Sequence, residues 1–530
     1  MLEDLGRDLV LMARLVQSQL GGAMNAFLAR DAGLAARVTE KDDQVDNLLD
    51  LIEAKCFQRI AGEAADSPQS RRWRGVLRVA LNLEKLGDYA VDIAEQAGHL
   101  TRGPVRPLPF DLAVPSQAVL TALDEVVRAF TEADAEKAKH ACRCEAALDR
   151  QYRDALGAIV RWLSQPDADA ALAITVLSVA KALEQIGDAI LNIGEATLFI
   201  LTGERLKLHQ YLHLEQVVQA VSGDVRPPTG ADFHRIWGGI SGARVGHLSV
   251  GAGGRLVWKE GHKRKIAAEI RQTSEWNRLV PGLVPPVEAR HEEADRQSFV
   301  RAYLDGLLLR DVYLTRPWPE KVRATRRLLE TLRDVWAATL RRERPVVDYV
   351  RQIRDRLPEV YALHPELARL RAEQVTVFGI GHRSLAELLE ELAGVEVELA
   401  PPVTVRIHGD FNTDNIVWDP ATERIHFIDV HRSGDGDYLQ DIAVLLVSGE
   451  RTPLDEPEVV RALGRLQRSI HEFAAEFASR VGDAHFEARL NLARARALIT
   501  SARLIPDAEF ARSLYLRGVR LLERAAGAAV

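Results

Sequence analysis

The sequence predicts a multidomain protein in which an all-α bundle, residues 1–215, precedes an α+β domain of two lobes, residues 233–530. Three observations predict this division. Apolar residues recur at three- and four-residue spacing through the first part, which is typical of helices. The first part also repeats internally. The second part has a glycine-rich turn at 238–242, followed by an alternating stretch, and two short apolar strands lie within residues 405–429. These features are typical of β structure.

Each half of the first part is predicted to form three helices, which gives a six-helix bundle of two three-helix repeats. Residues 83–95 recur as residues 183–195, with Glu, Gly and Asp at matching places. Each copy opens its helix with proline, at Pro68 and Pro166, because the missing N–H of proline does no harm at a helix start. The predicted helices are 2–29, 32–64, 68–101, 112–132, 134–164 and 167–203.

Four pairs of carboxylates within this bundle are spaced four residues apart, so each pair lies on one helical face. Like charges at that spacing destabilise a helix unless a cation lies between them. Pairs from adjacent helices would supply clustered oxygen ligands for Mg²⁺, Mn²⁺, Fe or Zn. A solvated acidic face is the simpler interpretation of a single pair, but the duplication favours a metal-ligating face. The pairs are Asp42/Asp46, Glu84/Asp88, Glu145/Asp149 and Glu184/Asp188.

These motifs resemble those of the PhoU family of phosphate-transport regulators, over about residues 1–205. The resemblance implies a six-helix fold whose E/D-x-x-x-D motifs bind multinuclear metal clusters, here through the eight acidic residues of the four pairs. It also implies a partner in phosphate uptake, either a phosphate transporter or its signalling kinase. A homodimer stays open, and so does a plain interaction module that holds no metal.

The segment 405–429 has polar side chains where phosphoryl transfer requires them. Such a reaction needs a carboxylate beside the acceptor hydroxyl and oxygen ligands for the Mg²⁺ that accompanies the phosphates. Asp410 suits the first role. Asn415 and Asp429, the latter at the end of a hydrophobic strand, suit the second. His408 belongs to the same motif, and we expect it to brace the loop rather than to take part in the chemistry.

Upstream motifs follow the order of a nucleotide-binding lobe. A glycine-rich turn allows backbone N–H groups to approach phosphates without a Cβ clash. The turn contains Gly239, Ser241 and Gly242. Lys259 ends a strand-like run, the position of a phosphate-pairing lysine.

A helical segment that follows Lys259 offers it an acidic partner. Glu275 is the predicted partner, and Glu269 is the alternative. Neither the glycine run nor the lysine is specific alone, because most such turns are ordinary and most strand-end lysines are solvated. Their order ahead of the 405–429 segment is what favours a nucleotide site.

The second part resembles the aminoglycoside phosphotransferase family of small-molecule kinases, whose pattern is H-G-D-x-x-x-x-N followed by an I-D strand. The likeness continues through residues 429–443, with His431 in place of a glycine. It implies a protein-kinase-like fold with a small lobe over about 233–304 and a large lobe over about 305–530. ATP and Mg²⁺ would be the cofactors, and residues 299–306 would form the hinge that holds adenine.

The reaction implied is transfer of the γ-phosphoryl group to a hydroxyl of a small molecule. The acceptor stays open among aminoglycosides, choline, homoserine, a sugar and a protein side chain. A rival function is a regulatory adaptor whose kinase-like domain binds nucleotide or nothing. The combination of Asp410, Asn415 and Asp429 disfavours the adaptor, because a binding-only domain has no physical need for all three.

Composition indicates a soluble, cytoplasmic protein. At 530 residues and 47 % hydrophobic content, the chain can form two cores. The formal net charge of −7 argues against nucleic acid as a partner. Three cysteines provide no disulfide framework. The N-terminus lacks a basic region typical of signal peptides, and the most apolar stretch, 170–180, is too short to span a bilayer.

Two further segments are predicted from local composition. Residues 216–232 are a linker, because their second half is rich in turn-forming residues. The arginine-rich stretches 490–503 and 512–524 are helices, whose charges we expect on solvated faces.

Overall fold

A computed structural model gives the arrangement of these segments. It describes residues 3–64, 67–100, 106–203, 206–222, 233–236, 244–250, 254–293, 295–371, 375–377, 380–451 and 456–529. The chain divides into two compact units, residues 1–236 with 246–254 and residues 237–245 with 255–530.

The first unit is helical up to Ser222 in the residues described. Its helices are α1 Glu3–Ala29, α2 Ala32–Thr39, α3 Asp42–Ala61, α4 Pro68–Leu100, α5 Ala113–Glu132, α6 Ala135–Cys142, α7 Cys144–Leu163, α8 Ala170–Thr202 and α9 Leu208–Ser222. Residues 216–222 of the predicted linker belong to α9. Val217 is buried there.

The predicted two-fold repeat of three helices is confirmed, with one difference. The second helix of each half is interrupted, between α2 and α3 and again between α6 and α7. Pro68 does open α4, but α8 begins at Ala170 rather than near Pro166. The cause is Asp169, whose side chain accepts hydrogen bonds from the N–H groups of Ala171 and Leu172 and so caps α8.

The helices α4 and α8 form the centre of the bundle. Gly75 of α4 has no room for a Cβ, which would lie 2.3 Å from Ile200 of α8. Among the described helices, α8 alone is long and apolar enough to cross a membrane by length and composition, and 56 % of its most apolar window is buried in the protein. The core helix of a bundle meets the same criterion, so this is weak support for a membrane span.

The chain continues with a mixed α and β region. Its elements are β1 Phe233–Ile236, β2 Arg244–Val250, β3 Gly254–His262, α10 Lys263–Leu279, β4 Ala289–Glu293 and β5 Arg296–Ala302. Within the second unit, β3, β5 and β4 are neighbours in one sheet, in that order. The strands β3 and β5 are antiparallel, with Lys259 opposite Phe299. Ile266 and Ile270 of α10 pack against Phe299, so this helix covers one face of the sheet.

The remainder is a helical region that contains short strands. Its elements are β6 Leu307–Leu308, α11 Leu309–Thr315, α12 Trp318–Thr339, α13 Tyr349–Leu363, α14 Pro365–Arg369, β7 Val375–Val377, β8 Ile380–His382, α15 Leu385–Val395, β9 Val405–Ile407, β10 Ile416–Asp419, β11 Arg424–Phe427, β12 Gly434–Gly436, α16 Tyr438–Ser448, α17 Pro457–Val481, α18 Phe486–Ser501 and α19 Ala508–Ala529. The strands β10 and β11 form an antiparallel hairpin, and β9 pairs with β12.

The helix α18 does not have the solvated basic face that the sequence predicted. Most of its residues are buried, and Arg489 is fully buried. The Arg489 guanidinium donates to Asp437 at 2.8 Å and to Asp483 at 3.0 Å. Arg489 points inward because buried carboxylates and the Leu399 carbonyl satisfy its N–H groups, a pairing that local spacing cannot reveal.

Candidate functional site

The loop after β9 is built around a glycine with a left-handed backbone. Gly409 has φ of +84°, and a Cβ there would lie 2.3 Å from the carbonyl oxygen of Arg432. Only glycine fits this combination of conformation and close approach. The result is a tight turn that carries His408 and Asp410 from the end of β9 toward the β10–β11 hairpin.

His408 holds this loop to the neighbouring strand. Its Nε2 lies 2.9 Å from the carbonyl oxygen of Ile428, and its Nδ1 accepts from the N–H of Asp410 at 3.3 Å. The ring is buried, and burial lowers the pKa of His408 below its ordinary value. The neutral imidazole is therefore fully used in hydrogen bonds to the backbone, which suits the bracing role.

Asp441 of α16 holds the same loop from the other side, and the sequence did not single it out. Its two carboxylate oxygens accept from the N–H groups of His408, at 2.6 Å, and Gly409, at 2.9 Å. Burial raises its pKa to about 7, although the two backbone bonds act in the opposite direction. The signal available in sequence was the Gln-Asp-Ile-Ala run at 440–443, whose role requires the fold to be known.

Asp410 is partly exposed and faces basic groups. Its Oδ2 lies 3.2 Å from an Arg432 guanidinium nitrogen, and Asn412 donates to its Oδ1 at 3.2 Å. The Asn415 side-chain nitrogen donates to the Asp410 carbonyl at 2.9 Å. This bond leaves the Asn415 amide oxygen as the atom suited to a metal. It also ties the two residues together without using the Asp410 carboxylate.

Asp429 lies close to Asn415 and to the sheet. The N–H of Ile428 donates to the Asn415 carbonyl at 3.0 Å, which fixes the strand end beside the loop. Asp429 itself has a left-handed backbone, φ +59°. Its Oδ1 lies 2.9 Å from the Lys259 ammonium and 2.7 Å from His431 Nδ1. Burial opposes ionisation, but the His431 hydrogen bond and the Lys259 charge outweigh it and hold the pKa of Asp429 well below its usual range.

The predicted partner of Lys259 is wrong. The Lys259 ammonium donates to Glu269 at 2.6 Å, and Glu269 is fully buried. Glu275 lies six residues further along α10 and pairs instead with Arg278 at 3.1 Å. Six residues is about one and two-thirds helical turns, so the two glutamates lie on different faces. Only the face of Glu269 packs on the sheet.

This difference gives a matched pair of variants. Glu269→Gln should reduce phosphoryl transfer or nucleotide affinity about ten- to a hundred-fold, because the buried Lys259 loses a charge-assisted hydrogen bond. Glu275→Gln removes a surface pair and should stay within a few-fold of wild type. Nucleotide dissociation constants for the two variants are the measurement. Equal losses, or a larger loss for Glu275→Gln, would reinstate the original assignment.

Other parts of the predicted nucleotide site are only partly described. Gly239, Ser241 and Gly242 lie outside the described residues, between β1 and β2. The predicted hinge, 299–306, is the end of β5 and the turn after it. A Cβ on Gly306, in this turn, would lie 2.7 Å from the Trp418 carbonyl oxygen, so the turn packs directly on β10.

The acidic residues of the first unit form two clusters, one in each repeat. Burial first, then Asp88, Asp46 and Asp42, raise the pKa of Glu84. In the second repeat, burial and the charges of Asp149, Asp188 and Glu184 raise the pKa of Glu145. The structure therefore brings together all four members of each predicted set.

Glycine permits the helices that carry these acids to approach. A Cβ on Gly87 would lie 3.3 Å from an Asp42 carboxylate oxygen, and one on Gly187 would lie 3.4 Å from the Glu145 Cα. Among the described residues, no three carboxylates of either cluster have ligand oxygens that all lie within 4.8 Å of one another. A single compact cation site is therefore not preformed, and the clusters offer spread-out oxygens.

The two clusters differ in their cations. Lys181 pairs with Glu184 in the second cluster, whereas the first contains a hydrogen bond from Gln19 to Asp42 at 3.2 Å. Lys85 acts on Glu84 in the first cluster, whereas both Lys181 and Lys207 act on Asp188 in the second. Repulsion within the first cluster is thus less compensated. We expect the first cluster, around Glu84 and Asp88, to gain more from an added cation.

A metal titration of the full chain tests this expectation. Mn²⁺, Zn²⁺ or Fe should raise the melting temperature of the helical unit. At a hundred-fold excess of metal over the dissociation constant, the free energy of unfolding should increase by roughly 2.7 kcal/mol. Glu84→Gln/Asp88→Asn should abolish part of that gain.

Without metal, the double variant should be neutral or stabilising at neutral pH. The reason is that raised carboxyl pKa values favour the folded state at low pH, and this advantage is lost as pH rises through them. A flat melting temperature and no bound metal by elemental analysis would leave only a solvated acidic face.

This fold and this grouping of residues define a protein-kinase-like domain preceded by a duplicated helical bundle. Comparison with known families agrees for both parts. The PhoU domain model matches residues 9–97 and 116–197, and the phosphotransferase enzyme family model matches residues 232–457. The chain thus carries a PhoU domain followed by a phosphotransferase-family domain.

Similar proteins are known for each part. A phosphate-specific transport system accessory protein PhoU homolog of Pseudomonas aeruginosa is 25 % identical over 224 residues, which are 42 % of this chain and 93 % of that protein. One from Caulobacter vibrioides is 29 % identical over 206 residues, 39 % of this chain and 90 % of that protein.

Solved structures resemble the two parts as well. The PhoU crystal structure from Pseudomonas aeruginosa is 28 % identical, with a TM-score of 0.36, and covers 38 % of this chain and 96 % of its own. A thermostable mutant of an aminoglycoside phosphotransferase in complex with ADP and hygromycin B is 18 % identical, with a TM-score of 0.40, and covers 58 % of this chain and 98 % of its own.

Proposed function

We propose that the protein is an ATP-dependent phosphotransferase that acts on a hydroxyl of a small molecule and whose activity is tied to phosphate status by its PhoU domain. The observation that carries the proposal is one connected set of contacts. Lys259 bonds Asp429, the strand end at Ile428 bonds Asn415, and Asn415 bonds Asp410. The phosphotransferase-family match over residues 232–457 supports the same reaction type.

The residues of this set fit Mg²⁺ with a nucleotide. Asp429 is ionised at neutral pH because its pKa is held low. The Asn415 amide oxygen is the second hard ligand, and Mg²⁺ takes one or two protein oxygens beside water and phosphate. When bound, Mg·ATP would supply the phosphoryl group and part of the charge neutralisation. Lys259, positioned by Glu269, would pair with the phosphates.

Asp410 would orient the acceptor hydroxyl and accept its proton. The carboxylate is partly exposed and lies at the end of a loop that His408 and Asp441 hold rigidly. Rigid support of this kind keeps a reacting group in place, which contributes to catalysis through orientation. The Arg432 guanidinium lies 3.2 Å from the Asp410 carboxylate, so it would be a neighbour of the bound acceptor.

The helical domain would connect this activity with phosphate uptake. The similar accessory proteins are named for a phosphate-specific transport system, so a phosphate transporter or its signalling kinase is the partner we propose. Metal ions at the two acidic clusters would stabilise the domain for that contact. The cytoplasm is the location that fits an ATP-consuming enzyme. A homodimer and the absence of nucleic-acid partners stay predictions.

An ATP-consumption screen against a library of hydroxyl metabolites tests the proposal. The full-length protein should consume ATP with at least one alcohol in a Mg²⁺-dependent manner, and Asp410→Asn should not. Phosphorylated product by mass spectrometry separates transfer from hydrolysis. The adaptor function would be favoured if nucleotide binds but no alcohol in the library is phosphorylated.

A further inference from the structure

We propose that the acceptor alcohol carries an anionic group, a carboxylate or a phosphate, which Arg496 and Arg451 bind beside Asp410. This inference rests on the proposed phosphotransferase function and names its substrate class. It differs from the polycationic acceptors that the family resemblance suggested among its options. Four arginines of the large lobe carry the argument, and they come from separate elements: Arg432, Arg451, Arg496 and Arg503.

All four arginines lie within electrostatic reach of the catalytic carboxylate. Arg432 pairs directly with Asp410. Burial lowers the pKa of Arg451, Arg496 and Arg503, and in each case the Asp410 charge acts in the opposite direction. Arg496 and Arg503 also feel the repulsion of Arg432. The arginines therefore converge on one region around Asp410, although they are far apart in sequence.

The carboxylates near this region are already paired. Glu359 lies 3.0 Å from Arg503 and also 3.0 Å from Arg356, so one acid serves two arginines. Asp414 lies 2.6 Å from Arg310. Asp441, whose charge interacts with Arg496, is already hydrogen-bonded to the N–H groups of His408 and Gly409. These three acids therefore form no direct ion pair with Arg451 or Arg496.

Arg451 and Arg496 are therefore the arginines available to a ligand. In the part of the chain that the structure describes, neither has a carboxylate within ion-pairing distance. The Arg496 Nε is buried and has no hydrogen-bond partner among the described atoms. Its guanidinium lies 5.7 Å from the centre of the Tyr349 ring, and that ring is fixed by a hydrogen bond of 2.9 Å from its hydroxyl to Asp437.

A buried guanidinium N–H without an acceptor is costly, so an arrangement of this kind indicates a missing acceptor. Arginine suits carboxylate and phosphate because its planar fork can donate two parallel hydrogen bonds. A cationic acceptor would meet repulsion from the same groups. The chemistry of the region therefore selects anionic alcohols.

The competing explanation is that these arginines bind the phosphates of the nucleotide. Lys259 and Asp429 already define the phosphate side of the site, and Arg451 and Arg496 interact with Asp410, the acceptor side. The two explanations predict different losses in an arginine variant. If the arginines bind the acceptor, an arginine variant loses affinity for the acceptor alone. If they bind the nucleotide phosphates, the variant loses affinity for the nucleotide.

Four small alcohols of different charge make the test direct: glycerol 3-phosphate, glycerate, glycerol and choline. Binding to the full-length protein is measured by calorimetry, with and without Mg·AMP-PNP, and turnover is measured with Mg·ATP. The two anionic alcohols should bind at least about ten-fold more tightly than glycerol, and choline should bind least. A comparison of the affinities for glycerate and glycerol 3-phosphate distinguishes a carboxylate site from a phosphate site.

Arg496→Gln should weaken binding of the preferred anion about ten- to a hundred-fold and raise its KM, with kcat and AMP-PNP affinity little changed. Arg496→Lys should restore part of the affinity, because it keeps the charge but not the fork. Arg512→Gln, at an exposed arginine of α19, is the matched control.

Equal or tighter binding of glycerol or choline would overturn the proposal, as would a loss of AMP-PNP affinity in Arg496→Gln. Binding is read independently of turnover. If the anions bind selectively but no alcohol is phosphorylated, the phosphotransferase function fails while the anion site stands. If alcohols are phosphorylated without regard to charge, the anion site fails while the phosphotransferase function stands.

Discussion

Asp410→Asn is expected to lower turnover by about 10²–10⁴-fold with whichever alcohol the enzyme accepts, which is the usual contribution of a general base. The amide keeps the size of the side chain but cannot accept the hydroxyl proton, and it loses the Arg432 ion pair. Steady-state kinetics with the preferred alcohol measures the effect.

The contacts of Asp410 predict which properties survive this change. Asn415 bonds the Asp410 carbonyl rather than its carboxylate, so Mg·ATP affinity should stay within a few-fold of wild type. Asp435→Asn is the matched control, because Asp435 is a surface residue 3.0 Å from Arg341. Turnover of Asp410→Asn within a few-fold of wild type would remove Asp410 from the role of base.

The parts of the site that sequence predicted are those that local chain geometry places together. Asp410 and Asn415 lie on one loop, and a short hairpin returns the chain to Asp429. The motif therefore determines its own shape, and little of the remaining fold is needed to bring these side chains near one another. The acidic pairs of the bundle are similar, because each is an i,i+4 pair on one helix.

The parts that sequence missed depend on contacts between distant elements. The choice between Glu269 and Glu275 depends on where α10 begins and which face it turns to the sheet. Asp441 of α16 accepts hydrogen bonds from the N–H groups of His408 and Gly409, which are more than thirty residues away in sequence. Arg489 lies on a helix whose charge pattern indicated solvent exposure, and its burial depends on two acids supplied from outside that helix, Asp437 and Asp483.

The same reasoning explains why the fold class was easier to predict than the acceptor. Helical periodicity and an internal repeat are properties of the chain alone, and the six predicted helices are present, two of them interrupted. The acceptor site that we propose would combine Asp410 with Arg451, which follows α16, and Arg496 of α18. Its charge can be summed only when those elements are placed in space.

Asp429→Ala is expected to remove most of the Mg²⁺-dependent part of ATP affinity, at least about a hundred-fold, because loss even of a residue that supports a metal ligand typically costs 10–100-fold. Asn415 alone would leave Mg²⁺ with one neutral ligand. Lys259 should remain ordered by Glu269 at 2.6 Å, so the affinity for ATP without Mg²⁺ should change little.

Calorimetric titration of ATP with and without Mg²⁺ separates these two contributions. Asp435→Ala, which removes an exposed aspartate from β12 in the same domain, is the control and should bind Mg·ATP as wild type does. Circular dichroism should show the helical domain still folded in both variants, because Asp429 contacts only residues of its own unit in the described structure. Unchanged Mg·ATP affinity in Asp429→Ala would place the metal elsewhere, and then the low pKa of Asp429 would reflect only its structural contacts with His431 and Lys259.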